Sequence, residues 1–480
     1  MVSQQRALSR TSGRRRVAVI GAGVSGLATA KCLLDEGLEP VVFEQRSEIG
    51  GLWNYHEELP DGGGVMYRSL RTNTSKQTLA FSDFSLPENL PDFPHHTDVL
   101  RYLQNYVAHF GLQQYIQLNT VVESVEPADQ WEWTVRTRTG DTTSTEIFAA
   151  VIVCSGRDRY PALPNIPGSD TFTGEILHSS RYKGPEDFAG KDVVVAGVGS
   201  SGVDIVIEMS EVAKQTYLST TNGAWFIPRY VLKRPYDHQL TRLASHMPYN
   251  VRMFFFRQLL LREYRSAGVN IQQLRTKGLP LPEFDLWRAR LTPCNDLLPR
   301  MQSGAILIKP QIARFEGQQV IFTDDSWVQA DIVICCTGYT LRFPFFPEKL
   351  IAIKGNGVEL YKHVFHPDLP NLAFVGLCTV VGAHIPVAEM QGRWVASVLA
   401  GKMKLPTREE ISMAIEQYRS HPSSQSPLPM EVQLLEYVDE IAGILRVCPR
   451  LWRHPRLLPA LLLGPFSAKH YRLDGPGKDV

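Results

Sequence analysis

The stretch Val17-Ala-Val-Ile-Gly21-Ala22-Gly23-Val-Ser25-Gly26 decides how this chain is read. Val17 to Ile20 is a continuous β-branched and apolar run, the pattern of a strand buried on both faces. The Gly21-x-Gly23-x-x-Gly26 turn follows, and then a helical pattern through Ala28, Ala30, Leu33 and Leu34. A second apolar strand, Val41-Val-Phe43, ends in Glu44. This strand–turn–helix–strand context turns a weak glycine motif into a dinucleotide fingerprint. Gly21 permits the tight turn, Gly23 the close approach of a pyrophosphate, and Gly26 the packing of helix on strand, while the helix start offers free N–H groups. Ala22 and Ser25 belong to the same loop. Glu44 sits where a carboxylate binds both ribose hydroxyls and repels a 2′-phosphate, so this site suits FAD or NAD and not NADP. Gly50-Gly51-Leu52-Trp53 adds a second close backbone approach, suited to a long, extended cofactor such as FAD.

Residues 191–196 (KDVVVA) repeat the pattern and run into Gly197-Val-Gly199-Ser200-Ser201-Gly202 and a helix through Val203, Ile205, Val206, Ile207 and Met209. The next strand, near Gln215 to Ser219, ends in Ser219-Thr220-Thr221-Asn222. No carboxylate stands there to repel a 2′-phosphate, and hydroxyl and amide donors are present, so NADP is admitted. Two fingerprints, one with the acid and one without, imply two dinucleotides: FAD in the first site and NAD(P)H in the second, with hydride passing from nicotinamide to flavin.

Composition narrows the class. The chain has 480 residues, and at roughly 150 residues per domain it should hold about three domains or two large ones. Lys plus Arg number 50 against 49 Asp plus Glu, a balance that excludes the basic excess of a nucleic-acid binder. No apolar run spans a bilayer. Cys32, Cys154, Cys294, Cys335, Cys336, Cys378 and Cys448 form no metal-ligand spacing, so no metal is expected and a reducing, intracellular setting is the default. Residues 45–78 lack cysteine, which excludes a dithiol reductase. Residues 1–16 are basic and acid-free, read as a frayed lead-in to the first strand, with a transit peptide as the alternative.

Between the fingerprints lies Phe172-Thr-Gly174-Glu-Ile-Leu-His178-Ser-Ser-Arg-Tyr182. With it, the chain resembles the flavin-containing monooxygenases of the class B flavoprotein monooxygenases, whose FxGxxxHxxxW/Y motif it matches at every fixed position. Gly50-Gly-Leu-Trp53, Thr72-Asn73-Thr-Ser-Lys76, Phe81-Ser-Asp-Phe84, Gly223-Ala-Trp225, Glu389-Met-Gln391-Gly-Arg-Trp394 and the segment Tyr471-Arg-Leu-Asp-Gly-Pro-Gly-Lys478 extend the resemblance nearly end to end, towards the animal-type branch. The resemblance implies that NADPH reduces FAD, that O2 adds to give a C4a-(hydro)peroxyflavin shielded by the oxidised nicotinamide, and that a small amine or sulfide takes the distal oxygen. It implies Asn73 as the polar group beside the flavin edge and nicotinamide, with Thr72, Val122 and Gln391 in the cofactor-binding set. It implies a structural role for His178, linking the domain connectors. Asp331-Ile-Val-Ile-Cys-Cys336-Thr-Gly-Tyr339 matches a family strand ending A-T-G-Y, with Cys336 in place of Ala, and Val151-Ile-Val-Cys-Ser-Gly156 is its counterpart.

The chain also departs from the family. Where members carry Arg after the second fingerprint's strand, Thr221 and Asn222 stand here. NADPH remains the expected reductant, with Lys214, Arg229 and Lys233 available to fold back, and NADH is kept as an alternative. Animal-type members carry an apolar membrane tail after G-P-G-K, and no transmembrane tail is expected within these residues. Residues 251–265 (VRMFFFRQLLLREYR) read as a basic amphipathic helix suited to a lipid interface or packed on its own domain. Residues 457–463 are too short to span and are expected to pack.

The expected architecture is α/β, with two doubly wound Rossmann-like dinucleotide-binding domains. A discontinuous FAD domain spans 14–156 and 330–445. An NADP domain at 157–329 is inserted in it and carries a helical insertion about 225–300. A helical tail covers 446–480, and residues 420–429 form a loop. Peroxyflavin-based Baeyer–Villiger oxidation of ketones, an uncoupled NADPH oxidase and a non-oxygenating redox sensor stay open, as does a homo-oligomer. A cytoplasmic site, or a peripheral one on an endoplasmic-reticulum-type membrane, is expected.

Overall fold

The computed structural model describes residues 15–57, 64–281, 291–420 and 430–477. The chain starts in strand β1 (Arg16–Ile20), helix α1 (Val24–Asp35) and β2 (Glu39–Phe43), then adds helix α2 (His96–His109), β3 (Ile116–Gln117) and β4 (Ala150–Val153). It crosses into a second unit built from β5 (Glu175–His178), β6 (Asp192–Ala196), α3 (Ser200–Val212), β7 (Gln215–Ser219), helix α4 (Tyr249–Ser266), β8 (Ile306–Lys309) and β9 (Ile332–Cys335). It then returns through β10 (Leu372–Phe374), α5 (His384–Leu399) and α6 (Leu434–Leu445).

The first sheet runs β10-β4-β1-β2-β3 and the second β8-β7-β6-β9-β5, both wholly parallel. Parallel strands need helical crossovers, and their uninterrupted burial explains why both central strands read as solid apolar runs. On one face of the first sheet α1 packs along α5. The other face is covered by an antiparallel meander (Thr120–Pro127, Trp133–Thr139, Thr142–Phe148) whose Val125, Trp133, Val135 and Phe148 join Ile20, Val41 and Phe43 in one core. The second unit repeats this plan with Ile312–Glu316, Gln319–Phe322 and Trp327–Gln329.

The two crossings touch. Tyr160–Pro161 on the way out pairs antiparallel with Tyr339–Thr340 on the way back. The boundary expected at 330 is thereby corrected. Ile332–Cys335 is hydrogen-bonded between β6 and β5, so it belongs to the second sheet, and the chain leaves that unit at Thr337-Gly338-Tyr339. The insertion opens as Trp225–Ile227 paired with Leu291–Pro293 and includes α4. The C-terminal stretch is mostly short 3-10 turns with one helix, Leu458–Leu463, of which only Leu461 is buried. The expected packing of that apolar run is therefore partial: Leu457, Leu458 and Leu463 stay exposed. Residues 1–14 and 421–429, read above as a lead-in and a loop, lie outside the described residues.

Candidate active site

The first fingerprint is fixed by sterics. Gly21 adopts φ +106°, and a Cβ on it would meet the Cys154 carbonyl oxygen at 2.7 Å, while a Cβ on Gly26 would lie 1.8 Å from the Gly21 oxygen. Helix α1 starts after Gly23 with no side-chain cap, which leaves its first N–H groups for a ligand. Glu44 is buried at the end of β2, with Oε2 accepting from Ala22 N (2.8 Å) and Oε1 from Arg46 N (3.0 Å). Two backbone donors thus fix the Glu44 side chain at the end of β2. A Cβ on Gly51 would lie 2.9 Å from Gly23 Cα, so the second glycine loop abuts the first, and Leu52 beside it is 42% exposed. Ser25 sits in the first turn of α1 under Gly376, and Val122 is half-buried in the meander beside a bulge.

The second fingerprint repeats this geometry atom for atom. Gly197 has φ +118°, and a Cβ on it would meet the Cys336 oxygen at 2.6 Å, while a Cβ on Gly202 would lie 2.1 Å from the Gly197 oxygen. Cys336 is therefore the partner of Cys154, a small side chain filling the floor under each turn, with its thiol pushed up by burial. Helix α3 begins after Gly199, again uncapped. A cavity of about 620 Å³ opens here, lined among others by Gly197, Gly199, Ser200, Ser201, Gly202 and the run 219–223.

The groups expected to meet a 2′-phosphate are fewer in the structure than in the sequence. Ser219 is buried and its Oγ donates to Pro310 O (2.7 Å), while Thr220 Oγ1 accepts from Gly223 N (3.1 Å). That leaves Thr221 and Asn222 exposed at the rim. Arg229 does not fold back, because its Nη1 donates to Thr72 O (2.9 Å), and Lys214 pairs with Asp192 (2.9 Å).

Asn73 lies between Thr72, whose Oγ1 donates to Thr74 O (2.8 Å), and Ser75. Its Oδ1 is buried with no partner among the described residues. A buried amide oxygen without a donor is costly, and a ligand donor satisfies it. Lys76 is turned away and caps the carbonyls of Glu88 (2.6 Å) and Leu90. His178 Nε2 is 2.8 Å from Gly338 O, and its ring packs edge-on against Tyr339. Burial lowers its basicity, so it serves as a neutral link between β5 and the return crossing.

Gln391, expected in the cofactor-binding set, is 0% exposed, and its amide is used by Gly376 N (2.7 Å) and the Tyr437 hydroxyl (2.7 Å). It shapes the Gly376 turn against Ser25. Arg229 and Asp237 also touch the Asn73 segment; the sequence offers Arg229 only as a cation to fold back on the nucleotide and does not mark Asp237, because no local pattern ties either to Thr72 or Ser75.

Two uncapped glycine fingerprints, one closed by a fixed acid and one open, with a buried Asn73 oxygen that has no partner among the described residues on a turn held by the second unit's insertion, define a two-dinucleotide flavoprotein. The flavin-binding monooxygenase-like family model matches residues 14–479, and the chain belongs to that family. It is 37% identical to flavin-containing monooxygenase 5 of Rattus norvegicus, covering 97% of this chain and 90% of the relative. It is 34% identical to dimethylaniline monooxygenase [N-oxide-forming] 2 of Pan troglodytes, covering 97% and 89%. Among solved structures, the S-allyl-L-cysteine S-oxygenase of Allium sativum superposes with a TM-score of 0.68 at 27% identity, covering 90% and 88%. Cyclohexanone monooxygenase from Rhodococcus sp. Phi1 superposes at 0.66 with 17% identity, covering 90% and 98%, a likeness of fold alone.

Proposed function

We propose that this flavin-binding monooxygenase uses NADPH and O2 to place one oxygen atom on a soft nitrogen or sulfur centre of a small molecule. The balance is NADPH, H⁺, O2 and substrate giving NADP⁺, water and the N- or S-oxide. FAD, when bound at the first fingerprint, supplies the oxygen-activating chemistry, and NADPH at the second supplies the hydride. The residues' work is to bind and to exclude water. Glu44 holds the first ribose, the α1 and α3 N-termini take the two pyrophosphates, and Asn73 offers its amide where the two cofactors meet.

The observation that carries this reading is the Oδ1 of Asn73, buried with no partner among the described residues, in a chain with two intact fingerprints. Steady turnover with an aryl methyl thioether tests it. Sulfoxide is expected, and Asn73→Ala is expected to retain flavin and its reduction by NADPH while releasing hydrogen peroxide in place of product. Equal sulfoxide yield in that variant, or ketone oxidation with no sulfoxide at all, contradicts the reading.

We further propose peripheral contact with an anionic lipid surface through α4. The helix buries Met253, Leu260 and Tyr264 and leaves Phe254 and Phe255 each 59% exposed. Arg257, Arg262 and Arg265 are exposed beside them, whereas Arg252 is tied to Glu436 (2.6 Å). Exposed aromatics flanked by Arg suit an interface. Among the described residues no helix is long and apolar enough to cross a membrane. Flotation with phosphatidylserine vesicles, abolished by Phe254→Asp with Phe255→Asp, is the expected result. A parent protein that stays with the unbound fraction contradicts it.

A further inference from the structure

Residues 66–78 belong by connectivity to the first unit, yet the second unit and its insertion grip them along their length. Tyr67 donates to Asp204 of α3 (2.5 Å), and Ser69 donates to Glu208 on the same helix. Arg229 holds Thr72 O, and Asp237 holds the other side of the turn. Asp237 is 1% exposed, and its Oδ2 accepts from Ser75 N (2.7 Å), Ser75 Oγ (2.9 Å) and Thr78 Oγ1 (2.7 Å). Its Oδ1 is buried without a partner among the described residues. Asn73 therefore stands at the tip of a turn closed internally by Thr72 and Thr74 and clamped fore and aft by two charged residues of the insertion.

A carboxylate buried this deeply is retained at a cost unless its hydrogen bonds do something. What these bonds fix is the backbone two residues from Asn73, and with it the aim of the amide. We propose that Asp237 and Arg229 are positioning residues for oxygenation: they hold Asn73 in register with the nicotinamide-binding unit, so that the amide is set only while the insertion is seated on the Thr72–Ser75 turn. The inference rests on the role given to Asn73 above. Neither residue touches a reacting atom. Their effect should fall on the partition between product and peroxide and not on hydride delivery.

The test is the ratio of sulfoxide to hydrogen peroxide formed per NADPH by the holoenzyme, measured beside the anaerobic rate of flavin reduction. A misplacement on the order of 1 Å costs up to about 10²-fold. Asp237→Ala should lower the ratio by about tenfold or more with flavin content, reduction rate and KM for NADPH retained. Asp237→Asn, which keeps an acceptor oxygen for the same donors, should fall between Asp237→Ala and the parent. Thr78→Val removes one of the three donors from outside and should shift the ratio in the same direction if Asp237→Ala does not fold. An unchanged ratio in a flavin-loaded Asp237→Ala or Thr78→Val enzyme overturns the proposal. Asn73→Ala run in parallel separates the two ideas. If it leaves the ratio intact, the role of Asn73 is wrong. If it uncouples while the clamp variants do not, only the positioning inference fails.

Discussion

Gly202→Ala separates the two nucleotide sites more cleanly than any substitution of a polar group. Its new Cβ would stand 2.1 Å from the Gly197 carbonyl oxygen and 3.2 Å from Cys336 Cβ, where ordinary contact begins at 3.4 Å. The turn must retreat by more than 1 Å, and it has nowhere to go: Gly197 N is bonded to Ser219 O (2.9 Å), and the Cys336 carbonyl blocks the far side. Overpacking of this kind costs about 1–3 kcal/mol in stability. A pyrophosphate cradle displaced by ~1 Å loses up to about 10²-fold in rate. Anaerobic mixing with NADPH should therefore show flavin reduction slowed by about tens-fold in a protein that still carries FAD, with NADP⁺ affinity reduced in step. The mirror variant Gly26→Ala, whose Cβ would meet the Gly21 oxygen at 1.8 Å, should instead be purified without flavin. A Gly202→Ala enzyme reduced as fast as the parent would refute the assignment of the second fingerprint.

Thr221→Arg should favour NADPH over NADH by about tenfold or more, because it adds a charge-assisted grip at a rim where Thr221 and Asn222 are the exposed donors, and the gain should fade with added salt. Burial pushes the imidazoles of His363 and His384 down to about 4. Both are neutral in the fold while the unfolded chain takes up protons near pH 6.5, so stability is full above that pH and drains towards pH 4, by roughly 2–4 kcal/mol per histidine. Melting temperature against pH should show this loss, and His363→Gln should flatten it. Arg472→Met should cost about 3–5 kcal/mol in denaturant unfolding, since it takes the cation (3.2 Å) from the buried Glu389 carboxylate and leaves the half-buried Asp83, 2.8 Å from the same guanidinium, with Lys31 (2.5 Å) alone.

The two fingerprints are legible in the sequence because their geometry is local: a Cβ at Gly26 or Gly202 collides with a carbonyl five residues away, so the residue type is dictated within the motif. Strand and helix limits there follow from one apolar period giving way to another. The meanders are less visible, although Trp133–Thr139 alternates buried and exposed as a half-buried strand does. The boundary at 330 goes wrong because Ile332–Cys335 is an apolar run that fits either sheet, and only its hydrogen-bonded neighbours decide. The partners of Gln391 are equally invisible in the sequence: its amide turns to Gly376 and Tyr437, 15 and 46 residues away. Ser219 reads as a phosphate donor, yet its hydroxyl donates to the carbonyl of Pro310, 91 residues away. Asp237 and Arg229 carry no motif at all, since their partners lie some 160 residues upstream.

The central claim is that this chain spends one NADPH to move one atom of O2 onto an electron-rich guest. Isotopically heavy O2, supplied with limiting NADPH and an aryl methyl thioether, measures it directly. One heavy oxygen atom should appear in sulfoxide for each NADPH oxidised, with little peroxide. Sulfoxide carrying oxygen from water, or NADPH recovered entirely as hydrogen peroxide, would contradict it.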